Sequence, residues 1–477
     1  MTAPRFGTSG WRAVLGEEFT VANVRLVSRA IAQYVRATTV QTSPAVLVGY
    51  DTRFLSERFA RAAADALAED GVRPMLATAA APTPAVAFHV LRHRLAGAVT
   101  ITASHNPPEY NGVKYTPAGG GPALPEATRA IEAAIDTLAQ GPESGTAMPR
   151  HNSRAENEQS APGLVDLRPD YLDGVARLVD FDAIRRRKAS IVVDPLYGAA
   201  RGYLDALLLR AGARVTMLHD VRDPYFGGRR PDPDEVGLRE LAMVVSGSDA
   251  ALGLATDGDA DRFGVVDTDG TFIAPNLLLG VLLDYLAPSR GWRGGVVRSV
   301  ATSHLVDAVA AAHGLTVHET PVGFKYIGAR LADGSAVFGG EESAGLSIAG
   351  HIPDKDGVLA CLLVAEMVAR TGRGLRERIE ALFRRVGEYH TGRLDITVTD
   401  SVDTRLRAVM SDPPTSLAGV AVREVSRMDG CKMLLADGGW LLLRPSGTEP
   451  LVRCYGEARS ARGLAAILSA GRQLVGA

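Results

Sequence analysis

Strand-like and helix-like segments alternate along most of this 477-residue chain, and no other feature constrains its fold as strongly. Alternation of this kind predicts α/β layers, in which helices pack against a sheet. A strand followed by a loop and a helix recurs at three places. The three pairs are residues 45–49 with 56–69, 190–193 with 200–210, and 295–297 with 303–312. We therefore expect three similar mixed-sheet α/β domains.

Loop-like stretches divide the chain, which is long enough for about three or four domains. Residues 140–163 are polar, rich in Ser, Pro and Gly and without periodicity, which is typical of a linker. Turn sequences at 267–270 and 388–393 mark two further divisions, and strand-like runs follow at 440–443 and 451–455. The predicted organisation is domain I at 1–139, a linker at 140–163, domain II at 164–268, domain III at 269–390 and a smaller C-terminal α+β domain IV at 391–477.

The composition is that of a globular protein without an electrostatic preference for nucleic acid. Hydrophobic residues make up 46%, charged residues 22%, and the net charge is -2. Cys361, Cys431 and Cys454 are far apart and lack CxxC spacing, which argues against a disulfide framework or a thiolate zinc site. The apolar runs are too short to span a bilayer, and no signal-like segment is seen at the N-terminus. We expect a soluble, cytoplasmic protein that binds neither nucleic acid nor membranes.

A candidate catalytic serine follows the apolar run at residues 96–101. The sequence TASHNP, residues 102–107, leaves the hydroxyl of Ser104 on the loop after this predicted strand, next to His105. Ligands of open α/β sheets bind at the carboxyl ends of the strands. Ser104 can therefore act as a phosphate carrier, although serine is also a common turn and cap residue.

A candidate metal loop, DGDADR, follows the apolar run at residues 250–255. Asp257, Asp259 and Asp261 alternate with small residues, so their carboxylates can converge on one hard cation such as Mg²⁺. A calcium EF-hand loop has glycine at its sixth position and glutamate at its twelfth. Counted from Asp257, these positions hold Arg262 and Thr268, so the loop does not fit that motif. A solvated acidic turn is the alternative, and Arg262 weakens it because a guanidinium binds phosphate beside a metal.

A third polar loop lies at residues 339–345, GGEESAG, after a strand-like segment. Glycines allow a ligand to approach the backbone, and Glu341 and Ser343 can bind sugar hydroxyls. The loop also suits the start of a helix, with Ser343 as the N-cap residue and glutamates near the positive end of the helix dipole. The residues alone favour neither interpretation.

A fourth polar loop, RPSGTEP at residues 444–450, lies between the two strand-like runs of domain IV. Its arginine, hydroxyls and glycine-opened backbone can form a phosphate cradle, and the alternative is an ordinary Pro/Gly hairpin turn. The candidate phosphate ligands are Arg444, Ser446, Gly447 and Thr448.

Three isolated cations complete the candidate set. Arg12 lies in GTSGWR near the N-terminus, Lys114 follows Ser104 in NGVK, and Lys325 ends the segment GFK. Each would be an ordinary surface cation if taken alone.

In this order and at these separations, TASHNP, DGDADR, GEESAG and RPSGTEP resemble the α-D-phosphohexomutase family over essentially the whole chain. The resemblance implies three similar α/β domains and a smaller fourth domain around a central active-site cleft. It also implies an intramolecular phosphotransferase, in the isomerase class, that acts on sugar phosphates. A Mg²⁺-dependent sugar phosphatase and a non-catalytic sugar-phosphate sensor are the competing hypotheses.

The resemblance also assigns roles to the candidate residues. Ser104 corresponds to the phosphoserine, which would complete a Mg²⁺ site with the three aspartates, and Lys114 to a candidate proton shuttle. Arg12 and Lys114 match residues near the transferring phosphate, and His105 is expected to be catalytic together with Ser104, Lys114 and Arg12. The residues expected to bind substrate are Arg262, Lys325, Glu341, Ser343, Arg444, Ser446, Gly447 and Thr448. A lysine near the attacked hydroxyl could serve as a general base if burial and Arg12 lower its pKa.

Segments on either side of GEESAG indicate which sugar phosphate is the expected substrate. TPVGFK at residues 320–325 and KDG at 355–357 are more similar to phosphoglucomutases than to other members of the family. We expect reversible conversion of α-D-glucose 1-phosphate and glucose 6-phosphate, with glucose 1,6-bisphosphate as activator and intermediate. The alternative is a phosphomannomutase or a dual-specificity enzyme, because glucose and mannose differ only at C2. A monomer or a homodimer is expected.

Overall fold

The computed structural model describes residues 4–7, 10–140, 162–446 and 450–476. These residues form two compact units. Unit 1 comprises Met1–Ile273 and Gly345–Gly374, and unit 2 comprises Ala274–Ala344 and Leu375–Ala477. Mixed α/β sheets in three domains and a C-terminal antiparallel sheet domain are present, which confirms the predicted fold class. The predicted domain limits stay predictions, and residues 141–161 of the predicted linker lie outside the described part of the chain.

The first sheet of unit 1 is six-stranded, with the order β1-β5-β4-β2-β3-β6. Strands β2, β3, β4 and β6 run parallel, whereas β5 is antiparallel to both β4 and β1. Its elements are β1 (Trp11–Val14), α1 (Val21–Thr38), β2 (Ala45–Tyr50), α2 (Ser56–Glu69), β3 (Arg73–Ala77), α3 (Thr83–His93), β4 (Gly97–Ile101), β5 (Tyr110–Pro117), α4 (Pro125–Gln140) and β6 (Gly163–Val165).

The apolar spacing of α1 and α2 turns one face of each helix onto this sheet. Phe19, directly before α1, packs against Trp11 and Phe59 with ring centroids 5.0 and 4.8 Å apart. All three side chains are buried, and burial of a large apolar side chain contributes about 1.5–3 kcal/mol. Thr20 caps α1 by accepting a hydrogen bond from Asn23 N, 3.2 Å away. The core therefore packs against the sheet beneath the loops at its strand ends.

The second sheet of unit 1 has the order β10-β9-β7-β8, with β7, β8 and β9 parallel and β10 antiparallel to β9. Its elements are α5 (Arg168–Ala176), α6 (Phe181–Arg187), β7 (Ser190–Asp194), α7 (Leu204–Arg210), β8 (Arg214–Met217), α8 (Arg239–Ser246), β9 (Leu252–Thr256) and β10 (Phe263–Val266).

A later segment of the chain completes unit 1. It contains β14 (Gly345–Ile348) and α12 (Gly357–Thr371), and α12 packs against α6, α7, β9 and β10. Asp356 caps α12 by accepting from Leu359 N, 2.9 Å away, and Glu366 accepts from Asp180 N at 2.7 Å. Because twelve successive residues of α12 from Gly357 are buried, the helix is part of the core of unit 1.

Unit 2 contains a parallel sheet with the order β12-β11-β13 and a six-stranded antiparallel sheet with the order β15-β20-β19-β18-β17-β16. Their elements are α9 (Pro275–Ser289), β11 (Gly295–Ser299), α10 (Leu305–Ala312), β12 (Thr316–Thr320), α11 (Phe324–Ala332), β13 (Ala336–Glu341), α13 (Leu375–Val386), β15 (His390–Thr397), α14 (Asp400–Ser411), β16 (Ser416–Leu417), β17 (Val420–Ser426), β18 (Cys431–Leu435), β19 (Trp440–Pro445), β20 (Leu451–Ala458) and α15 (Ala461–Leu474).

A buried charged network joins the two sheets of unit 2. Lys432 on β18 donates to Val300 O at 2.7 Å and to Glu319 Oε1 at 2.9 Å, and its ammonium lies 4.5 Å from the centre of the Trp440 ring. Glu457 on β20 accepts from Trp440 Nε1 at 2.8 Å. Burial lowers the pKa of Lys432 to about 8. The network pairs charges that would be costly to bury alone.

The three predicted pairs of a strand and a helix agree with the elements observed. The structure differs from one of the two interpretations of the loop around residue 343. There β13 extends to Glu341 and the chain turns directly into β14, so a strand follows the GEESAG loop. The alternative that Ser343 caps a helix is therefore wrong. The three cysteines are buried and unpaired. Among the described residues, no helix is long and apolar enough to cross a membrane.

Candidate active site

The Ser104 loop begins where β4 ends and turns sharply. Ser104 is buried with φ 52°, a left-handed conformation that is uncommon for residues other than glycine. Its backbone N–H donates to Thr102 Oγ1 at 2.9 Å. The hydroxyl donates to Asp257 Oδ2 at 2.6 Å, and His105 Nδ1 lies 3.3 Å from the same hydroxyl oxygen. The predicted serine and the first predicted metal ligand are therefore in direct contact.

Arg53 holds this loop, and the sequence analysis missed it. It follows β2, the neighbour of β4, and its side chain is fully buried against Asp51, 3.2 Å away. The guanidinium donates to four carbonyl oxygens of the loop after β4. These hydrogen bonds are to Ser104 and Asn106 at 2.7 Å, Pro107 at 2.8 Å and Tyr110 at 2.9 Å. A single cation thus fixes the backbone that presents the serine.

The DGDADR loop connects β9 and β10, where Thr256 pairs with Phe263. One carboxylate oxygen from each of Asp257, Asp259 and Asp261 lies within 4.8 Å of the others, and all three residues are buried. A Cβ at Gly258 would lie 2.6 Å from the carbonyl oxygen of Ser104. The close approach of the two loops therefore requires glycine at this position.

The buried carboxylates strongly affect one another. Burial, with repulsion from the other two aspartates, raises the pKa of Asp257 well above its usual range. Burial also acts to raise the pKa of Asp261. The positive charges of Lys114 and Lys355 outweigh burial, however, and hold this pKa well below the usual range. Three such groups share one site only where cations balance them.

Lys114 and Arg12 project from the same face of the β1–β5 pair, because Arg12 pairs with Gly112, two residues before Lys114. Lys114 Nζ lies 2.5 Å from Asp259 Oδ2 and 2.9 Å from Asp261 Oδ2. Burial and Arg12 act to lower the pKa of Lys114, as expected, but the two carboxylates outweigh them and the pKa is raised. The lowered pKa that a general-base role of Lys114 would require is therefore not met while both carboxylates contact its ammonium.

Arg12 and His105 lie around the serine loop. Arg12 Nη1 donates to Asn106 Oδ1 at 2.6 Å, and burial lowers the pKa of Arg12 although Asp259 opposes it. Burial, together with Arg262 and Arg12, lowers the pKa of His105 well below its usual value. His105 is therefore a neutral imidazole beside the Ser104 hydroxyl.

Two further residues contact the metal loop and were not among the predicted ligands. Thr83, the first residue of α3, donates from Oγ1 to Asp259 Oδ2 at 2.6 Å. Lys355 Nζ lies 3.0 Å from Asp261 Oδ2. The N–H of Gly357 donates to Ala260 O at 3.0 Å, so the KDG segment supports the loop.

The donor set of the three aspartates fits Mg²⁺. Asp259 Oδ1 and Asp261 Oδ1 are buried and have no hydrogen-bond partner among the described residues. Buried carboxylate oxygens are normally paired, and hard oxygen ligands are those that Mg²⁺ binds. Arg262, next in sequence, donates its backbone N–H to Asp257 Oδ1 at 3.0 Å. Its side chain lies 3.6 Å from Asp232.

In unit 2, the GEESAG loop contacts the TPVGFK segment. Glu341, at the end of β13, is buried and accepts from Gly323 N at 2.8 Å. Gly323 has φ 126° and precedes α11, which places Lys325 in the first turn of that helix. Ser343 lies in the turn after β13 and is partly exposed. The end of β13 and the start of α11 therefore lie side by side in unit 2.

The predicted phosphate cradle lies at the end of β19. Arg444 Nε donates to Asp429 Oδ2 at 2.8 Å, and the same oxygen accepts from Val322 N at 2.9 Å. Ser446 N donates to Leu451 O at 2.8 Å, which closes the β19–β20 turn. Asp429 therefore joins the cradle to the TPVGFK segment. Gly447 and Thr448 lie outside the described residues, as do Thr8 and Ser9 of the GTSGWR motif.

Comparison with known proteins identifies the family of this chain. Sequence profiles of phosphoglucomutase/phosphomannomutase match in chain order: α/β/α domain I at residues 3–141, α/β/α domain II at 169–270, α/β/α domain III at 274–386 and the C-terminal domain at 406–471. The phosphoglucomutase of Komagataeibacter xylinus is 33% identical, and the match covers 99% of this chain and 90% of that protein.

Two other relatives carry different sugar names. A candidate phosphoglucosamine mutase of Methanothermobacter thermautotrophicus is 31% identical, and the match covers 94% of this chain and 92% of that protein. The crystal structure of a candidate phosphomannomutase from Thermus thermophilus is 32% identical, covers 100% of both chains and has a TM-score of 0.84. The chain belongs to the phosphoglucomutase/phosphomannomutase family of phosphohexomutases, which are intramolecular phosphotransferases.

Proposed function

We propose that this chain is a phosphoglucomutase that interconverts α-D-glucose 1-phosphate and glucose 6-phosphate, with Ser104 as the phosphate carrier. The observation that carries the proposal is the 2.6 Å hydrogen bond from Ser104 Oγ to Asp257 Oδ2. It places a buried hydroxyl at the edge of three converging carboxylates, with Lys114 on their other side. A hydroxyl beside a cation site that also holds a lysine is suited to carry a phosphoryl group.

The proposed reaction consists of two phosphoryl transfers. In the first, the bond between phosphorus and Ser104 Oγ breaks as phosphorus bonds to O6 of glucose 1-phosphate. The O6 hydroxyl loses its proton, and Ser104 Oγ gains one. The glucose 1,6-bisphosphate formed then turns around. In the second transfer, the C1 phosphate moves to Ser104 Oγ, the serine hydroxyl loses its proton and O1 of the sugar gains one. Glucose 6-phosphate and phospho-Ser104 result, so atoms and charge balance over the cycle.

We assign Asp257, Asp259 and Asp261 as the protein ligands of Mg²⁺, with the phosphate of Ser104 as a further ligand. The bound ion would supply Lewis-acid neutralisation of the charge on the transferring phosphoryl group. The carboxylate of Asp257 orients the serine hydroxyl, and Thr83 orients the carboxylate of Asp259. Residues that orient metal ligands in this way tune both affinity and activity.

Two residues can handle the protons of the cycle. Lys114 is protonated while Asp259 and Asp261 hold its ammonium, so it is suited to donate a proton to a departing oxygen. His105 is uncharged, and its Nδ1 lies 3.3 Å from Ser104 Oγ, within reach of the proton that this hydroxyl loses. A Lys114→Met variant should lose the step that needs a proton donor, and a His105→Gln variant should change the pH profile of kcat.

The substrate-binding roles are assigned by loop. Glu341 and Ser343 are proposed to bind sugar hydroxyls, and Lys325 is proposed as a further substrate-binding cation. Arg12 and Arg262 are proposed to neutralise the reacting phosphate. The bisphosphate carries close to four negative charges, so its second phosphate needs cationic and hydrogen-bonding groups of its own. These are proposed to be Arg444, Ser446, Gly447 and Thr448.

Glucose is proposed as the sugar because TPVGFK, GEESAG and KDG are more similar to phosphoglucomutases. A phosphomannomutase or dual-specificity enzyme is the second candidate, and the name of the Thermus thermophilus relative favours it. Discrimination at C2 requires a site that binds the C2 hydroxyl. The monomeric or homodimeric state and the cytoplasmic location stay predictions.

The decisive experiment is a coupled assay on the purified protein with Mg²⁺ and a trace of glucose 1,6-bisphosphate. Glucose, mannose and glucosamine 1-phosphates are compared as substrates, and kcat/KM should be highest for glucose 1-phosphate. Highest kcat/KM for mannose 1-phosphate would transfer the assignment to the second candidate. Isomerisation of none of the three would refute the mutase assignment, and release of free phosphate would support a phosphatase.

The carrier role has its own test. Intact-mass measurement should find one phosphate on the active wild type and on Ser248→Ala, a matched change of an exposed serine. The Ser104→Ala variant should lack this adduct and nearly all turnover. A phosphate located on another residue would contradict the assignment of Ser104.

A further inference from the structure

A second cluster of metal-ligating side chains lies outside the candidate active site, between α3 and α5. It consists of His89 and His93 on α3 and Asp170 on α5. One potential ligand atom from each residue lies within 4.8 Å of the others. His89 and His93 are four residues apart, so both imidazoles project from one side of the helix. Their ring centroids are 4.0 Å apart.

The contacts within the cluster leave one polar atom unexplained. His93 Nε2 lies 2.6 Å from Asp170 Oδ2, which an ordinary imidazole–carboxylate hydrogen bond would explain. His89 is only 3% exposed, and its Nδ1 is buried without a hydrogen-bond partner among the described residues. Buried ring nitrogens are rarely left unpaired. The pair of His93 and Asp170 therefore does not account for His89.

We propose that His89, His93 and Asp170 form a binding site for a borderline transition-metal ion, with Zn²⁺ as the best match. Two imidazoles and one carboxylate are a common three-ligand set for Zn²⁺, and a water completes the four-coordinate shell. The imidazoles exclude Mg²⁺, which binds through oxygen. The side chains of His93 and Asp170 are each 42% exposed, so the fourth position opens to solvent.

An imidazole with the usual pKa of about 6.5 is mostly neutral at pH 7 and so has a lone pair available for a metal. The sequence between the two histidines, Val90-Leu91-Arg92, lacks the glutamate that serves as general base in HExxH metalloproteases. The proposed site is accordingly a binding site rather than a second catalytic centre.

The site joins two helices that both reach the candidate active site. The first residue of α3, Thr83, donates to Asp259. On α5, the neighbour of Asp170 is Tyr171, whose hydroxyl donates to Asp356 Oδ2 at 2.8 Å. A metal held by both helices cross-links them, so it should stabilise unit 1 against unfolding.

The test measures Zn²⁺ binding by the full chain in excess Mg²⁺, which keeps the aspartate site occupied. The wild type should bind one Zn²⁺, and its thermal midpoint should rise with Zn²⁺ concentration. His93→Asn and Asp170→Asn change partly exposed residues and should fold normally. Each should lose Zn²⁺ affinity by at least about tenfold. His313→Asn is the matched control, because His313 contacts Asp284 at 2.8 Å in a comparable pair.

Co²⁺ supplies a second readout. The intense d–d absorption of four-coordinate Co²⁺ should appear in the wild type and in His313→Asn, and it should disappear in His93→Asn. The buried residue is tested by His89→Gln, whose circular dichroism spectrum reports folding. Wild-type Zn²⁺ binding by a folded His89→Gln variant, or by both exposed-site variants, would overturn the proposal. Absence of Zn²⁺ binding by the wild type would also overturn it. A thiolate-to-Co²⁺ charge-transfer band would do the same, because it would mean that a cysteine binds the metal.

Discussion

Replacement of Arg53 by methionine is expected to reduce both stability and turnover. The guanidinium pairs with buried Asp51 and donates to four carbonyl oxygens of the loop that carries Ser104. Methionine fills a comparable volume but removes the charge and every donor. Breaking a buried ion pair costs about 3–5 kcal/mol, and each buried carbonyl left unpaired adds about 1–3 kcal/mol. If one carbonyl oxygen stays buried without a hydrogen bond, the free energy of unfolding falls by about 4–8 kcal/mol in total.

Turnover should fall for a separate reason. Ser104 has φ 52°, a conformation that costs about 1–2 kcal/mol in residues other than glycine, and Arg53 helps to hold it there. Once the loop is released, the serine can relax away from Asp257. A displacement of about 1 Å from a reactive geometry costs about 100-fold in rate. We expect a loss of this size in kcat for Arg53→Met, measured below the unfolding transition, and a smaller one for Arg53→Lys.

The stability of Arg53→Met should also depend more steeply on pH. Burial raises the pKa of Asp51 in the wild type, and Arg53 opposes that increase. Without Arg53 the folded-state pKa of Asp51 rises further, so the folded state binds a proton that the unfolded state has released. Stability is then retained below about pH 4 and lost as the pH rises towards 7. The Asp51→Asn/Arg53→Met double variant should remove this additional slope.

Urea unfolding of the wild type, the two Arg53 variants and the double variant, with Arg58→Met as an exposed arginine control, measures these effects. Arg58 lies on the exposed face of α2. If Arg53→Met lost less than about 1 kcal/mol, the typical value of one ordinary hydrogen bond, or if its pH slope equalled that of the wild type, the ion pair would not have the role described.

Three further predictions concern other contacts. Gly258→Ala should impair turnover measurably, since its Cβ would lie 2.6 Å from the carbonyl oxygen of Ser104; normal kcat would contradict the tight contact of the loops. Thr83→Val should weaken Mg²⁺ activation about 10- to 100-fold, because Asp259 loses an orienting donor; an unchanged Mg²⁺ titration would contradict it. The pKa of Lys432 falls to about 8 on burial, so the unfolded state binds more protons above this pH. The free energy of unfolding of the wild type should therefore rise relative to that of Lys432→Met between about pH 8 and 10. The same pH dependence of this free energy in both proteins would refute the prediction.

The central part of the candidate site was predictable because its residues are close in sequence and follow apolar runs. Asp257, Asp259 and Asp261 alternate after a strand, and the hairpin of β9 and β10 brings their carboxylates together. Thr83 and Lys355 contact the same carboxylates from elements far away in the chain. No local pattern carries information about such distant contacts.

Arg53 could have been identified by the rule that identified Ser104. Both residues follow parallel strands, β2 and β4, that are neighbours in one sheet, and ligands and functional loops gather at the carboxyl ends of such strands. The Ser343 alternative failed for a different reason. β14 has only four residues, and an apolar run that short cannot be distinguished from a helical turn by its periodicity.

The direction of the pKa shift at Lys114 depends on relative magnitudes that residue types do not supply. Burial and Arg12 act to lower the pKa of Lys114, which was the condition for a general-base role, but the ion pairs with Asp259 and Asp261 exceed them. The distances of 2.5 and 2.9 Å that decide the outcome exist only in the folded chain. Opposing electrostatic effects of similar size therefore need coordinates before their sign is known.

The shared carboxylate of Asp429 limits how this enzyme could be redesigned. One oxygen accepts hydrogen bonds from both Val322 N and Arg444 Nε, so the backbone of the TPVGFK segment and the guanidinium at the end of β19 are oriented by the same atom. A substitution that shifts the segment to accommodate another sugar would also disturb the arginine. Directed evolution towards a new hexose should therefore select compensating changes in pairs, one on each side of Asp429.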